Sequence, residues 1–150
     1  MSATFQLTID CANPGLLTHF WSAALGFSIE PPPAGFDSWN AYWRRVGVSE
    51  DELDDDRDSS ESLVDSSGTG PRIWFQQVPE PKIGKNRLHL DLKVSGGREV
   101  PLDERKRRVW AEVERLVDLG ATELRVLSTE GIDHYAVVMQ DPEGNEFCIA

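Results

Sequence analysis

The feature that most restricts this chain is a pattern written twice: an alternating strand, an amphipathic helix closed by glycine, then further short strands. The first copy begins at Phe5, with Phe5, Leu7 and Ile9 on one side and Gln6, Thr8 and Asp10 on the other. A period of two with one apolar face describes a strand covered on one side only. Asn13 and Pro14 then provide a cap and a first-turn proline. Leu17, Phe20, Trp21, Ala24 and Leu25 recur at the spacing of one helix face, and Gly26 follows the last turn. In the second copy Leu88, Leu90, Leu92 and Val94 alternate with Arg87, His89, Asp91 and Lys93. A helix follows, with Pro101 near its start, Val109, Val113, Leu116 and Val117 on one face, and Gly120 at its end.

The remaining segments complete each copy. "FSIE" reads as a short strand, "PPPAG" as a stiff turn, and Trp39 to Val48 and Arg72 to Val78 as strands. "PEPKIGK", Pro79 to Lys85, is a linker, and "TELRVL", "HYAVVMQ" and "EFCI" are the closing strands. Asp141-Pro142-Glu143-Gly144 are residues that a type I turn prefers. The order is thus β-α-β-β-β twice, an α+β arrangement of two modules, residues 1–80 and 81–150, consistent with an internal duplication.

Charge is concentrated in one place. Nine acids stand between Ser49 and Ser66 against the single Arg57, so this segment holds −8 of the chain's −11. Its composition predicts a mobile loop over residues 49–70. An acidic chain argues against nucleic acid as a partner, because phosphate binding needs a basic surface. Two cysteines, Cys11 and Cys148, are too few for a disulfide framework. No signal-like start or membrane-length apolar run is present, so a cytoplasmic protein without a membrane partner is expected. Arg105 to Arg108, flanked by Asp103, Glu104, Glu112 and Glu114, reads as a solvated helix face.

Three stretches, "LTIDCANPGLLTHFWSAALGF", "FQQVPEPKIGKNRLHLDL" and "DPEGNEFCI", together with the element order, resemble the glyoxalase/bleomycin-resistance/dioxygenase (vicinal oxygen chelate) superfamily, and within it the glyoxalase-like domain proteins. The resemblance implies two βαβββ modules whose sheets curl around a cleft. In metal-dependent members four ligands line that cleft, one from the first and one from the last strand of each module. Those positions fall here on His89, on Gln6 or Thr8, near Gln76, and on Cys148, so one of four keeps the customary ligand type. One imidazole, one thiol and two neutral side chains make a poor cage for Mg²⁺ or Zn²⁺. No divalent metal is therefore expected, although Asp10 and Asp91 share the polar faces and make a rearranged site conceivable.

The groups left in the expected cleft suit other tasks. His89, oriented by Asp91 or Asp10, can serve as acid or base; a hydrogen-bonded structural histidine is the alternative. Gln6, Asp10, Gln76, Glu146 and Cys148 offer polar contacts, and Trp43 and Trp74, with Trp39, offer aromatic surface. Trp21 reads as helix-face core. Cys148 as a nucleophile would need a depressed pKa; otherwise it is a small buried hydrophobe. His19 and His134 have no evident partner. The function expected is a glyoxalase-like protein binding a small organic molecule, as a metal-independent lyase or isomerase using His89 and Asp91. The alternatives are a non-catalytic protein sequestering an aromatic or antibiotic-like ligand, of bleomycin-resistance type, and an accessory domain that mainly dimerises. The family likeness also makes a homodimer plausible.

Overall fold

The computed structural model describes residues 2–53 and 58–150. Its strands are β1 (Leu7–Cys11), β2 (Ser28–Ile29), β3 (Ser62–Val64), β4 (Ile73–Gln77), β5 (Asp91–Leu92), β6 (Thr122–Leu127), β7 (Ala136–Gln140) and β8 (Glu146–Ile149). Its α-helices are α1 (Pro14–Leu25), α2 (Trp39–Val46) and α3 (Leu102–Asp118). The strands form two four-stranded mixed sheets of the same plan, β1-β4-β3-β2 and β5-β8-β7-β6. In each, the opening strand pairs parallel with the closing one. The fold is α+β, and the sheets do not close into a barrel.

One hydrophobic core serves both sheets. Leu7, Ile9 and Cys11 point toward it from β1 while Thr8 and Asp10 face away. Phe147 and Ile149, 1% and 0% exposed, do the same from β8. The α1 residues Phe20 and Trp21 reach across to the second sheet, with ring centroids 6.1 and 5.1 Å from that of Phe147. Arg115 of α3 donates to the carbonyls of Ala23 and Ala24, supplying the cation that the last turn of α1 lacks. No helix among the described residues is long and apolar enough to cross a membrane.

Four expectations are corrected. Trp39–Val46 is a helix, although its aromatics suit a strand. Ser38 caps it by accepting from the Ala41 amide, and Gly47 ends it at φ 99°, so local capping outweighs strand propensity. The third strand of the first sheet lies instead inside the stretch read as a loop, at Ser62–Val64, where Leu63 is fully buried. A 3-10 turn at Glu50–Glu52 also falls there, and residues 54–57 of that stretch lie outside the described residues. The opening strands are shorter than their alternation suggests, because Phe5 and Leu88 lie outside the pairing, 76% and 83% exposed. Arg105 is buried rather than solvated; it donates to the Val100 carbonyl and pairs with Asp133.

Candidate functional site

The turn before β8 sets the site's frame. Asp141 is 3% exposed, and its carboxylate accepts from the amides of Glu143 and Asn145, the Asn145 side chain and the Trp21 indole. A buried carboxylate without such donors would be costly; with four it locks the turn to α1. Glu143 adds a second tie by accepting from the amides of Ala12 and Asn13 at 2.9 and 2.5 Å. The sequence shows the turn type but not these partners.

Beyond the turn, Glu146 and Cys148 lie on the face of β8 opposite Phe147 and Ile149. Cys148 stands beside Asp91 in the parallel register. His89 comes two residues before Asp91, and its Nε2 lies 3.2 Å from Asp91 Oδ1, both side chains being substantially exposed. One ligand atom each from His89, Asp91 and Cys148 lies within 4.8 Å of the others. Burial, then the charge and hydrogen bond of Asp91, push the Cys148 thiol up. The half-buried thiol is thus neither an activated nucleophile nor a plain core residue.

Glu146 has a different task. Burial pushes its carboxyl up, but the Asn86 amide at 3.0 Å and Lys82 at 3.2 Å outweigh this and hold it below the usual range. It anchors the linker against β8. With Thr8, Asp10, Asn86 and His89 it borders a gap of about 420 Å³ between the sheets.

The other sequence-derived residues lie elsewhere. Gln6, Trp43 and Trp74 line a separate chamber of about 870 Å³ on the first sheet, together with Trp39, Ser62 and Arg72. Arg72 donates from Nη1 to Gln6 Oε1 at 2.6 Å and from Nε and Nη2 to the Glu30 carboxylate at 2.9 and 2.6 Å. Gln76 stands opposite Asp10 in the β1–β4 register, and its side chain lines neither cavity. The residues expected to share one cleft are therefore spread over separate spaces, with Asp91 bordering a third of about 410 Å³. His19 does have a partner, the Gly15 carbonyl of its own helix at 2.8 Å. Neither Arg72 nor Glu30 stood out in the sequence; an arginine at the head of a strand of apolar and amide residues was the available signal.

The model of the glyoxalase-like domain family matches residues 6–150. The comparison with curated proteins returns no match. Among solved structures, a glyoxalase/bleomycin resistance protein/dioxygenase family enzyme from Burkholderia phytofirmans PsJN is similar at TM-score 0.56 and 18% identity, covering 96% of this chain and 94% of that one. The genomically encoded fosfomycin resistance protein FosX from Listeria monocytogenes is similar at TM-score 0.60 and 10% identity, covering 99% and 92%. A variant of the latter, at TM-score 0.57 and 10% identity over 99% and 89%, is a complex with Mn(II) and 1S,2S-dihydroxypropylphosphonic acid. At these identities the likeness is one of fold. It nevertheless corrects the expectation that a divalent metal is unlikely: a protein of this fold carries one, and three ligand-type side chains converge here. Counting ligands at inherited positions gave too little weight to Asp91, named above for a rearranged site, which register places beside Cys148.

Proposed function

We propose that this chain, which belongs to the glyoxalase-like domain family, acts on a small organic molecule as a lyase or isomerase, with a divalent metal held by His89, Asp91 and Cys148. The observation that carries the proposal is the grouping of those three ligand atoms within 4.8 Å. An imidazole nitrogen, a carboxylate oxygen and a sulfur suit Zn²⁺, which takes all three, better than Mg²⁺ or Mn²⁺, which prefer oxygen. His89 and Asp91 are exposed enough to turn inward without disturbing the core, and β8 fixes Cys148. Three protein ligands with an open position is the pattern of a catalytic rather than a structural zinc site. When bound, the ion would supply a Lewis acid for a carbonyl or phosphoryl oxygen and lower the pKa of a coordinated water.

The chain's own residues supply the rest. Asp10 borders the same gap as His89 and offers a carboxylate for proton transfer on a substrate lying between the sheets. Glu146, already committed to Lys82 and Asn86, holds the linker at the edge of this gap. Elemental analysis after incubation with Zn²⁺ and desalting tests the assignment. About one equivalent per chain is expected in the parent and less than a tenth in His89→Ala and Cys148→Ala; unchanged stoichiometry in both variants sinks it.

A second reading rests on the aromatic chamber. Stacked Trp39 and Trp43 with Trp74 favour a protein that sequesters an aromatic compound without turning it over. Ligand affinity that survives His89→Ala, with no turnover of any compound bound, would favour this reading.

A further inference from the structure

The chamber on the first sheet carries information about the charge of what it takes. Its aromatic wall is built by two elements. Trp39 and Trp43 stand one helical turn apart on α2, stacked with ring centroids 5.7 Å apart and planes 26° from parallel. Trp39 is fixed from behind, its indole N–H donating to the Glu30 carbonyl at 3.0 Å. Trp43 is 40% exposed at the mouth. Trp74 comes from β4, where it pairs in register with Thr8 and Ser62. Rigid indoles on a capped helix facing a sheet lose little freedom when a flat molecule stacks on them.

Arg72 is the only cation among the described lining residues. Its charge is largely answered within the protein: the Glu30 carboxylate takes two of its N–H bonds and the Gln6 carbonyl oxygen a third. The bond to Glu30 raises the Arg72 pKa against the opposing effect of burial. Part of the chamber's lining, Glu52, Leu53 and Ser59 to Ser62, comes from a stretch whose described residues 49–53 and 58–66 include six acids and no lysine or arginine. An anion entering there meets acidic residues and, among the described lining residues, one cation that already shares its charge with Glu30, whereas a cation is drawn in and gains from the indole faces.

We infer that the paired Glu30 and Arg72, beneath an aromatic wall of Trp39, Trp43 and Trp74, make this chamber a site for a planar ligand that is neutral or cationic, and that Glu30 excludes planar anions by occupying Arg72. The inference rests on the second reading above, that the chamber binds aromatic compounds. It adds the charge class and the residue that sets it.

Three probes sharing one ring system test it: 9-aminoacridine, a cation at neutral pH, acridone, which is neutral, and acridine-9-carboxylate, an anion. Binding to the full chain is measured by equilibrium dialysis in 0.3 M salt, which shortens the reach of the general acidic field to a few ångströms. Tetraethylammonium, a non-planar cation, is present as competitor. The cation and the neutral ring are expected to bind one per chain and the anion at least about tenfold more weakly, with no competition from tetraethylammonium. Trp43→Ala, at a half-exposed position, should weaken both binders about tenfold with unchanged circular dichroism. Glu30→Gln frees the guanidinium and should strengthen the anion alone about tenfold. Should that variant not fold, Arg72→Gln provides the opposite arm, in which the unpaired carboxylate favours the cation further and the anion stays excluded.

Anion binding equal to that of the cation in the parent, or Glu30→Gln shifting all three probes alike, overturns the charge assignment and leaves aromatic binding standing. Absence of binding by every probe overturns both. Neither result touches the metal proposal, because the same titrations are run on chelator-treated protein.

Discussion

The two sheets share a strand order yet present different chemistry on the faces turned from the core. Laying Leu7–Asp10 on Leu88–Asp91 places Thr8 on His89 and Asp10 on Asp91. The closing strands then set Gln76 beside Asp10 in one sheet and Cys148 beside Asp91 in the other. Two of the three proposed ligand positions therefore differ between the halves, and those two decide whether a set of metal-binding atoms exists. The first sheet instead carries indoles and a paired arginine. Repeated topology reproduces inward-facing apolar residues because both copies share one core. It does not reproduce the outward face, where single side chains choose the chemistry.

The most demanding way to break this comparison is to erase the difference. Thr8→His combined with Gln76→Cys gives the first sheet the ligand types of the second. Zinc stoichiometry is expected to rise from one to about two per chain; a value that stays at one would mean that surrounding groups, not ligand identity, separate the halves.

A second substitution asks whether the halves are separable in stability. Phe147 belongs to the second sheet but packs on Phe20 and Trp21 of α1. Phe147→Ala should cost about 3–5 kcal/mol, and both halves should melt in one transition. Two transitions, with only one moved, would show independent modules.

Asp141→Ala probes the same junction with a polar group. It strips acceptors from the Trp21 indole and the amides of Glu143 and Asn145. A loss of about 2–3 kcal/mol in denaturant unfolding is expected; an effect below about 0.5 kcal/mol would show that water replaces the carboxylate.

The smallest effect concerns the thiols. Burial, then the charges of Glu143, Glu61, Asp10 and Asp141, push the Cys11 thiol up to about 11 from an ordinary 9.0. A pKa raised by folding means that the unfolded chain releases its proton first. The stability from the neutral thiol is therefore full below pH 9 and is lost as pH rises toward 11. The loss amounts to about 2 kcal/mol and should vanish from the pH slope of Cys11→Ala. An equal slope in the variant would assign the decline to other groups.

Much of the fold could be read because its signals are local. The alternation at Leu7–Cys11, the stripe on α1 and the Asp141-Pro142-Glu143-Gly144 turn each act within a few residues. Trp39–Val46 failed as a strand because propensity was weighed without the Ser38 and Gly47 caps. Leu63 escaped notice because three strand residues inside an acidic run are too few to show a period. Of the candidate site, the face carrying Glu146 and Cys148 could be read from alternation, and Asp91 as a neighbour of Cys148 could not.

The sequence by itself determined which residues of Leu7–Cys11 and Glu146–Ile149 turn inward, and where α1 begins and ends. These follow from periods and caps contained in single segments. Only the tertiary structure decided that Arg72 would be spent on Glu30, 42 residues away, and that Asp141 would hold Trp21, 120 residues away. It also distributed the residues expected in one cleft over a gap between the sheets, an aromatic chamber and a third space beside Asp91. Such pairings depend on which strands become neighbours, and the long-range packing that selects neighbours leaves no periodic trace in the chain.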